Sequence, residues 1–312
     1  MTTADSIVFG TGMLRSREVF RDAFRAGYRT FDTAVYYSND AELIGALDDC
    51  GGGEQARVIH KVQPYRVSEQ FERLILPKLG GRPLDTLLLH HPALFVFDAA
   101  TEALMRPWSE LEKLLERGLV RRIGCSNTGA SVLDFLFEHA SVKPSVNQIE
   151  CHPWNYDAAL VQRCRERGVE VQAFSPLGGG RLKVLESPAI QEIARETGRS
   201  AAQVCLRWSI QKGLVPIVRT RDSGRMRENR EATAFALDDA QMRAIDGITD
   251  RGSVWNDPIK RGSLSATVTP AGIRVPNRLR FAIRSSLHYA AVELFLRRRA
   301  GADRSEATTH GE

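Results

Sequence analysis

The amino-acid sequence predicts an α/β fold, a (β/α)8 TIM barrel followed by a C-terminal extension. Two observations lead to this fold class. Short apolar runs alternate with amphipathic segments eight times within roughly 240 residues, which is the length of one such barrel. Polar or charged residues stand at the ends of several of these runs, where a barrel collects its functional groups. The periodicity alone leaves a doubly wound open sheet as the alternative fold.

Eight segments have the composition of strands buried on both faces of a parallel sheet. Each is short and mostly apolar, and most are bounded by Gly, Pro or polar turn residues. In chain order they are residues 6–9, 28–32, 58–61, 86–90, 122–125, 146–150, 169–174 and 215–218. Parallel strands need a crossover between them, which agrees with the helical segments that follow.

Apolar residues at helical spacing lie between these strands, and local residues mark the helix ends. Ser16 is expected to cap the first helix, while Gly27, Gly118 and Gly168 each follow the last apolar position of a helix. Pro77 falls within the apolar stripe of residues 71–79. Because proline lacks a backbone N–H group, it should kink or shorten that helix.

The composition excludes several classes of protein. With 43% hydrophobic and 26% charged residues, the 312-residue chain can bury a sizeable core and is not a disordered protein. Its apolar runs are far shorter than the ~20 residues of a membrane span, and its first residues lack the basic region of a secretory signal. Five scattered cysteines without a CxxC pair argue against a disulfide framework or structural zinc, and we expect a cytoplasmic location.

Polar residues at the ends of three strands point to a shared chemistry. Asp32 ends the second predicted strand, Lys61 the third and His90 the fourth, and Tyr37 follows in the loop after Asp32. A nearby ammonium group lowers the pKa of a phenol, which can then act as a general acid. An aspartate can orient that lysine, and a histidine can hydrogen-bond to a carbonyl oxygen. The set suits protonation of a carbonyl, while a structural Asp–Lys pair and a merely packed tyrosine remain the alternative.

Five motifs, in order along the chain, resemble those of the aldo-keto reductase family. They are GYRTFDTA at 27–34 followed by Tyr37, LLLHHP at 87–92, GLVRRIGCSN at 118–127, KPSVNQIECHP at 143–153 and RMREN at 225–229. The resemblance extends over about residues 5–258. It implies NADPH-dependent reduction of an aldehyde or ketone to an alcohol, with hydride from nicotinamide C4 and a proton from Tyr37.

The resemblance also assigns roles to the residues at the strand ends. Tyr37 is the implied general acid. Lys61 and Asp32 are expected to lower the pKa of its phenol, and His90 to help orient the carbonyl. The family binds its dinucleotide extended across the barrel top without a Rossmann glycine fingerprint, in agreement with the absence of GxGxxG here. The alternative is a nicotinamide-nucleotide-sensing regulatory protein on the same barrel, with the C-terminal extension as a docking tail.

A further set of residues matches the nucleotide-binding positions of the family. It comprises Ser126, Asn127, Gln148, Phe174, Ser175, Arg219, Thr220, Arg225, Glu228 and Asn229. Phe174 stands where a ring stacks on the nicotinamide, although it could equally belong to the barrel core. Arg219 and Thr220, with Arg225 nearby, match the contacts to the 2′-phosphate and favour NADPH over NADH. A solvated basic loop is the alternative for this arginine-rich segment.

Two residues fall at substrate-pocket positions of the family, His91 and Trp154. The expected partner is therefore a small carbonyl compound, whose identity the sequence leaves open, and the protein is expected to be a monomer. Cys151 and His152 stand close to further histidines in the motifs, but without metal-ligand spacing. We therefore expect no metal site.

The C-terminal part differs from the rest in charge and pattern. The net charge is +5, and residues 260–312 hold ten basic and four acidic residues, so the excess lies there. The rest of the chain gives no electrostatic sign of nucleic-acid binding. We divide the chain into a barrel, 1–258, and a basic extension, 259–312. Residues 260–276 are predicted as a linker or loop, and residues 300–312 as disordered. Between them, residues 277–299 are predicted as a basic amphipathic helix that packs on its own domain or docks on a membrane or partner.

Overall fold

Eight parallel strands close into a barrel, each hydrogen-bonded to the next along the chain and the eighth to the first. The computed structural model describes residues 6–53, 55–91, 101–249, 252–254, 266–268 and 274–276. The strands are β1 (Val8–Gly10), β2 (Thr30–Asp32), β3 (Arg57–Val62), β4 (Leu84–Leu89), β5 (Val120–Ser126), β6 (Val146–Glu150), β7 (Glu170–Phe174) and β8 (Val215–Val218). All eight overlap the predicted segments. The predicted (β/α)8 fold is confirmed, and pairing of β8 with β1 rules out the open sheet.

Helices connect the strands. They are α1 (Arg17–Arg25), α2 (Asp40–Asp49), α3 (Val67–Gln70), α4 (Thr101–Glu116), α5 (Ala130–His139), α6 (Ala158–Glu166), α7 (Pro188–Thr197), α8 (Ala201–Gln211), α9 (Ser223–Glu231) and α10 (Asp239–Asp246). The connection between β7 and β8 holds two of these helices, and α9 and α10 follow β8. None of the helices in the described residues is both long and apolar enough to cross a membrane.

The ends of α1 follow from single residues. Ser16 has an extended backbone, and its hydroxyl oxygen accepts a hydrogen bond from the Val19 N–H group at 3.4 Å, so it caps the helix as predicted. Gly27, just beyond the helix, has a φ of 94°, a conformation that glycine adopts without the steric cost of a Cβ. The face between these ends buries Phe20 and Phe24.

Pro77 interrupts the third helical region as predicted. The α-helical part, α3, ends at Gln70; a π-helical turn follows at Phe71–Ile75 and a 3-10 turn at Leu76–Lys78. Proline cannot donate an α-helical hydrogen bond, and its ring crowds the carbonyl group four residues earlier. The helix therefore changes from α-helical to π-helical hydrogen bonding ahead of the proline and ends soon after it.

Apolar side chains fill the inside of the barrel. One buried cluster contains Val8, Ile59, Leu88, Val146, Val215 and Ile217, with Phe174 packed against it. Gly124 of β5 lies beside this cluster. A Cβ atom there would be 2.9 Å from Leu88 Cδ2 and would overlap the Val146 carbonyl oxygen. The missing side chain therefore allows β5 to approach its neighbours.

The chain divides into two compact units, residues 1–256 and 257–312. The second unit contains an antiparallel pair of strands, β9 (Ala266–Val268) and β10 (Arg274–Pro276). The prediction of a linker or loop at 260–276 is therefore wrong at these strands. Three-residue strands are too short to show alternation, so no periodic pattern of apolar residues predicts them. The predicted helix at 277–299 and the predicted disorder at 300–312 lie outside the described residues.

Candidate active site

Several of the predicted site residues lie at one end of the barrel. Asp32, Ser126 and Phe174 are the last residues of β2, β5 and β7, and Arg219 directly follows β8. Because all eight strands are parallel, their carboxyl ends meet at the same rim. The barrel thus gathers residues that are far apart in the sequence.

Asp32 and Lys61 form a buried ion pair. The Lys61 Nζ atom donates to both carboxylate oxygens of Asp32, at 2.6 Å and 2.5 Å. Asp32 is 4% exposed and Lys61 1%. The Gln148 side-chain amide donates to Asp32 Oδ2 at 2.8 Å and to Gln172 Oε1 at 3.1 Å. Burial lowers the pKa of Lys61, and the Asp32 carboxylate opposes that effect.

Tyr37 ends the short 3-10 turn Val35–Tyr37 that follows β2. Its ring centre lies 5.5 Å from Lys61 Nζ. Burial raises the pKa of the Tyr37 phenol above its usual range, Asp32 raises it further, and Arg219 lowers it by less. The expectation that the pKa of this phenol is lowered is therefore wrong, because burial, the largest effect, raises it. The phenol keeps its proton at neutral pH, as a proton donor must.

His90 stacks between two aromatic neighbours. Its ring centroid lies 5.1 Å from that of Tyr36 and 4.4 Å from that of His91, with interplanar angles of 14° and 7°. The Tyr36 ring also meets the Tyr37 ring edge-on at 6.2 Å, and its hydroxyl oxygen accepts from the Gln63 amide. Tyr36 therefore contacts both predicted site residues, His90 and Tyr37. Its role could not be predicted from the sequence, since nothing in the pattern distinguishes Tyr36 from the neighbouring Tyr37.

Ser126, Asn127 and Gln148, the three residues matched to the nicotinamide carboxamide, are joined by hydrogen bonds. The Ser126 hydroxyl donates to the Gln148 carbonyl oxygen at 2.9 Å. The Asn127 side-chain amide donates to Ser126 Oγ at 3.1 Å and to the His90 carbonyl oxygen at 3.0 Å. Asn127 has a φ of 59°, in the left-handed region that asparagine tolerates better than most residues. The structure thus brings these three residues together.

Arginine residues collect where α9 begins. Asp222 caps this helix by accepting from the Arg225 N–H group at 2.7 Å, and its own N–H group donates to Thr220 Oγ1 at 3.1 Å. Arg219 and Arg225 are exposed. Arg219 Nη1 donates to the Gly12 carbonyl oxygen at 2.9 Å, so this arginine reaches the loop after β1. Guanidinium groups beside a helix N-terminus suit an anionic group such as phosphate.

The two residues matched to adenine contacts lie further along α9. Asn229 is buried, and its side chain hydrogen-bonds to the Tyr28 phenol. Glu228 is half-buried, and its carbonyl oxygen accepts from the Gln203 side chain at 3.0 Å. Asn229 is therefore tied into the packing of α9, whereas the side chain of Glu228 remains partly open to solvent.

Phe174 is half-buried, with its ring packed against the inner apolar cluster. This placement is compatible with both roles considered for it, core residue and ring-stacking surface. Ser175 follows with a φ of 51°. A Cβ built on Gly179 would lie 3.4 Å from Ser175 Oγ and 3.0 Å from a Val254 methyl group, so these residues form one contact region. Trp154, the other predicted pocket residue, is half-buried beyond β6.

Glu150, the last residue of β6, is a residue that the sequence analysis gave no role. Its buried carboxylate accepts from Ser253 Oγ and the Val254 N–H group, both at 2.6 Å, and contacts His152 Nε2 at 3.1 Å. Burial alone would raise the pKa of Glu150, but these hydrogen bonds outweigh burial and lower it. Glu150 thus anchors the segment 252–254 at the rim. A strand-end glutamate was visible in the sequence, but its distant partners were not.

Comparison with known proteins agrees with the family resemblance of the motifs. The profile of the aldo/keto reductase family matches residues 6–250. A 9,11-endoperoxide prostaglandin H2 reductase of Trypanosoma cruzi is 34% identical, covering 80% of this chain and 90% of the relative. A morphine 6-dehydrogenase of Pseudomonas putida is 32% identical, covering 80% and 88%. A crystal structure of an aldo-keto reductase from a Medee basin deep-sea metagenome superimposes with a TM-score of 0.72 at 26% identity, covering 82% of this chain and 96% of that one.

The fold, the site and these relatives define an NAD(P)H-dependent oxidoreductase. The chain belongs to the aldo/keto reductase family, as its motifs indicated. Members of this family use nicotinamide cofactors and act on small carbonyl compounds.

Proposed function

We propose that this chain reduces an aldehyde or ketone to an alcohol with NADPH and that Tyr37 donates the proton. The observation that carries the proposal is the position of Tyr37 beside the buried Lys61–Asp32 pair, with 5.5 Å from the ring centre to the ammonium nitrogen. A proton donor for a carbonyl must keep its proton at neutral pH and lose it to the substrate oxygen. The ammonium group of Lys61 is the nearby charge that favours the phenolate left behind.

The residues at the rim fit a nicotinamide dinucleotide by the chemistry of their donors. Arg219, Arg225 and Thr220 offer two guanidinium groups and a hydroxyl beside the start of α9, which suits a phosphate. Ser126, Asn127 and Gln148 offer amide and hydroxyl groups for a carboxamide. When bound, the reduced nicotinamide supplies the hydride that adds to the carbonyl carbon.

The protein side of the reaction is positioning and proton transfer. Tyr37 Oη gives its proton to the carbonyl oxygen as the hydride arrives at carbon, so the product is the neutral alcohol. Asp32 keeps Lys61 charged in a site where burial alone would favour its neutral form. His90 hydrogen-bonds to the carbonyl oxygen and holds it near the phenol. The apolar cluster beneath Phe174 excludes water from this end of the barrel.

The preference for NADPH rests on the arginines after β8. We expect Arg219→Ala to weaken NADPH binding by about tenfold or more and NADH binding by no more than about twofold, since only NADPH carries the 2′-phosphate. Arg121→Ala is the matched control, because Arg121 is also exposed but lies at the opposite end of the barrel. Equal affinity of the wild-type protein for both nucleotides would contradict the NADPH preference.

The activity itself is tested by a screen of aldehydes and ketones, with loss of reduced-nicotinamide absorbance as the readout. We expect turnover of at least one class of carbonyl compound by the full chain. Binding of NADPH without turnover of any carbonyl would overturn the proposal and favour the nucleotide-sensing alternative. Failure to bind either nucleotide would overturn both.

A further inference from the structure

We infer that Asn39 is a positioning residue that holds the Tyr37 ring in place by clamping the loop after β1 beneath it. The inference rests on the proposed function, because it concerns the same proton donor. Asn39 stands two residues after Tyr37, where α2 begins, and it is fully buried. Nothing in the motifs singled it out.

The side chain of Asn39 does not do what its position favours. An asparagine at a helix N-cap usually accepts a hydrogen bond from the N–H group two or three residues later. Asn39 is the N-cap of α2 but makes no such side-chain hydrogen bond. Its side chain reaches across to another loop instead, so α2 forms without this stabilisation.

That other loop is the turn at residues 11–14, which we call the β1 turn. The Asn39 side-chain amide donates to the Thr11 carbonyl oxygen at 2.8 Å and to the Leu14 carbonyl oxygen at 2.7 Å. The N–H group of Leu14 itself donates to the Thr11 carbonyl oxygen at 2.9 Å. One amide group therefore holds both ends of the β1 turn.

The orientation of the Asn39 amide is fixed by Thr33, the residue that follows β2. The Thr33 hydroxyl donates to Asn39 Oδ1 at 3.0 Å. With its oxygen used in this way, the amide must present both N–H bonds to the two carbonyl oxygens of the β1 turn. Thr11 is fixed independently, because its N–H group and its hydroxyl donate to the Asp32 carbonyl oxygen at 2.9 Å and 3.0 Å. The whole arrangement is buried and hydrogen-bonded.

The Tyr37 ring lies on the middle of the β1 turn. A Cβ atom built on Gly12 would be 3.4 Å from Tyr37 Cζ and 3.5–3.7 Å from the adjacent ring carbons. The edge of the ring that bears the hydroxyl thus lies over the peptide that Asn39 holds from both sides. The carbonyl oxygen of Gly12 also accepts from Arg219. The β1 turn is therefore where the proton donor and the phosphate-binding arginine meet.

The chemistry explains why such a clamp matters. Transfer of hydride and proton requires the phenol oxygen and the carbonyl oxygen to meet in one geometry, and a misplacement of about 1 Å can lower the rate about 100-fold. Loss of the Asn39 amide leaves two buried carbonyl oxygens without their donor, so the β1 turn and the ring above it can shift. Substrate binding, which depends on other residues of the rim, should change much less.

The test compares Asn39→Ala with Asn147→Ala under saturating NADPH. Asn147 is the matched control because it is also fully buried and its side-chain amide donates to a carbonyl oxygen, that of Thr128, at 2.9 Å. We expect Asn39→Ala to lower kcat about 100-fold with KM for the carbonyl compound within about threefold. Asn147→Ala should lose similar thermal stability but keep kcat within about twofold. Equal kcat losses in the two variants would overturn the inference.

Thr33→Val provides a second variant in case Asn39→Ala does not fold. Valine has nearly the outline of threonine but no hydroxyl group, so it cannot donate to Asn39 Oδ1 and the clamp loses its orientation. We expect kcat to fall at least about fivefold with KM again nearly unchanged. Unchanged kcat in Thr33→Val would contradict the inference. If Tyr37→Phe, measured in parallel, retains full activity, the proposed function fails instead.

Discussion

Replacing Asp32 by asparagine should destabilise the fold strongly, because it breaks the ion pair under the candidate active site. Asp32→Asn keeps the shape of the side chain and removes only its charge. The carboxylate receives Lys61 at both oxygens and Gln148 at one of them. An asparagine has a single acceptor oxygen. Whichever way the asparagine amide is turned, its NH2 group faces the Lys61 ammonium group, which is also a donor.

The size of the effect follows from burial. With Asp32 4% and Lys61 1% exposed, solvent cannot replace the lost partner. Removing one member of a buried ion pair costs about 3–5 kcal/mol, whereas an exposed pair contributes about 0–1 kcal/mol. We therefore expect the free energy of unfolding of Asp32→Asn to fall by about 3–5 kcal/mol at neutral pH. Asp48→Asn, which removes the exposed partner of Arg82, is the control and should change it by less than about 1 kcal/mol.

The pH dependence of this loss has a definite sign. In Asp32→Asn the buried Lys61 has no counterion, so its pKa in the folded state falls further below the ordinary value of 10.5. The unfolded state then binds more protons than the folded state, and stability rises with pH up to the unfolded pKa. The difference in the free energy of unfolding between Asp32→Asn and wild type should therefore become smaller between pH 7 and pH 10. Urea unfolding at both pH values measures it. A decrease in the free energy of unfolding of less than about 1 kcal/mol in Asp32→Asn, or a difference from wild type that grows with pH, would refute the reasoning.

Three further changes test other parts of the structure. Gly124→Ala should lower the melting temperature by several degrees, because the new methyl group overlaps the Val146 carbonyl oxygen. Asp40, whose pKa falls to about 2 because a neighbouring histidine and lysine outweigh the effect of burial, should contribute about 2 kcal/mol of stability above pH 4, lost as the pH falls towards 2. Glu150→Gln should loosen the segment that contains Val254 and speed its cleavage in limited proteolysis, since the carboxylate holds that segment.

Each of these changes has its own control. Gly129→Ala should leave the melting temperature nearly unchanged, because a methyl group there meets open space. Equal melting temperatures for Gly124→Ala and Gly129→Ala would contradict the packing account. Asp40→Asn should make the free energy of unfolding depend less on pH between about pH 4 and pH 2. An unchanged dependence would show that other groups cause the loss of stability in acid. If Glu150→Gln has the same overall stability as wild type and the segment is cleaved at the same rate, Glu150 does not hold that segment in place.

The eight strands could be predicted from the sequence for a physical reason, whereas the choice of a closed barrel over an open sheet also needed the motifs. Strands buried on both faces are mostly apolar along their length, and several of them end in a polar residue at the rim, as β2 does at Asp32. Local rules were equally reliable at Ser16 and Pro77, since capping and the missing N–H group act within one turn of helix. These features depend on neighbours in the sequence and need no tertiary information.

The parts that could not be predicted depend on distant neighbours. The pKa of Tyr37 is raised chiefly because the phenol is buried, with a further contribution from Asp32, and this balance of burial and charge is visible only in three dimensions. Glu150 contacts residues about 100 positions away. Asn39 follows the expected pattern of a helix cap, and only the structure shows that its side chain clamps the β1 turn.

The rate of a single turnover by NADPH-loaded protein tests the central claim most directly. Wild-type protein and Tyr37→Phe are mixed with a carbonyl compound that the wild type reduces, and NADPH affinity is measured separately for both. We predict that Tyr37→Phe binds NADPH within about threefold of wild type and reduces the carbonyl compound about 100-fold to 10,000-fold more slowly. Equal rates for the two proteins would show that Tyr37 is not the proton donor.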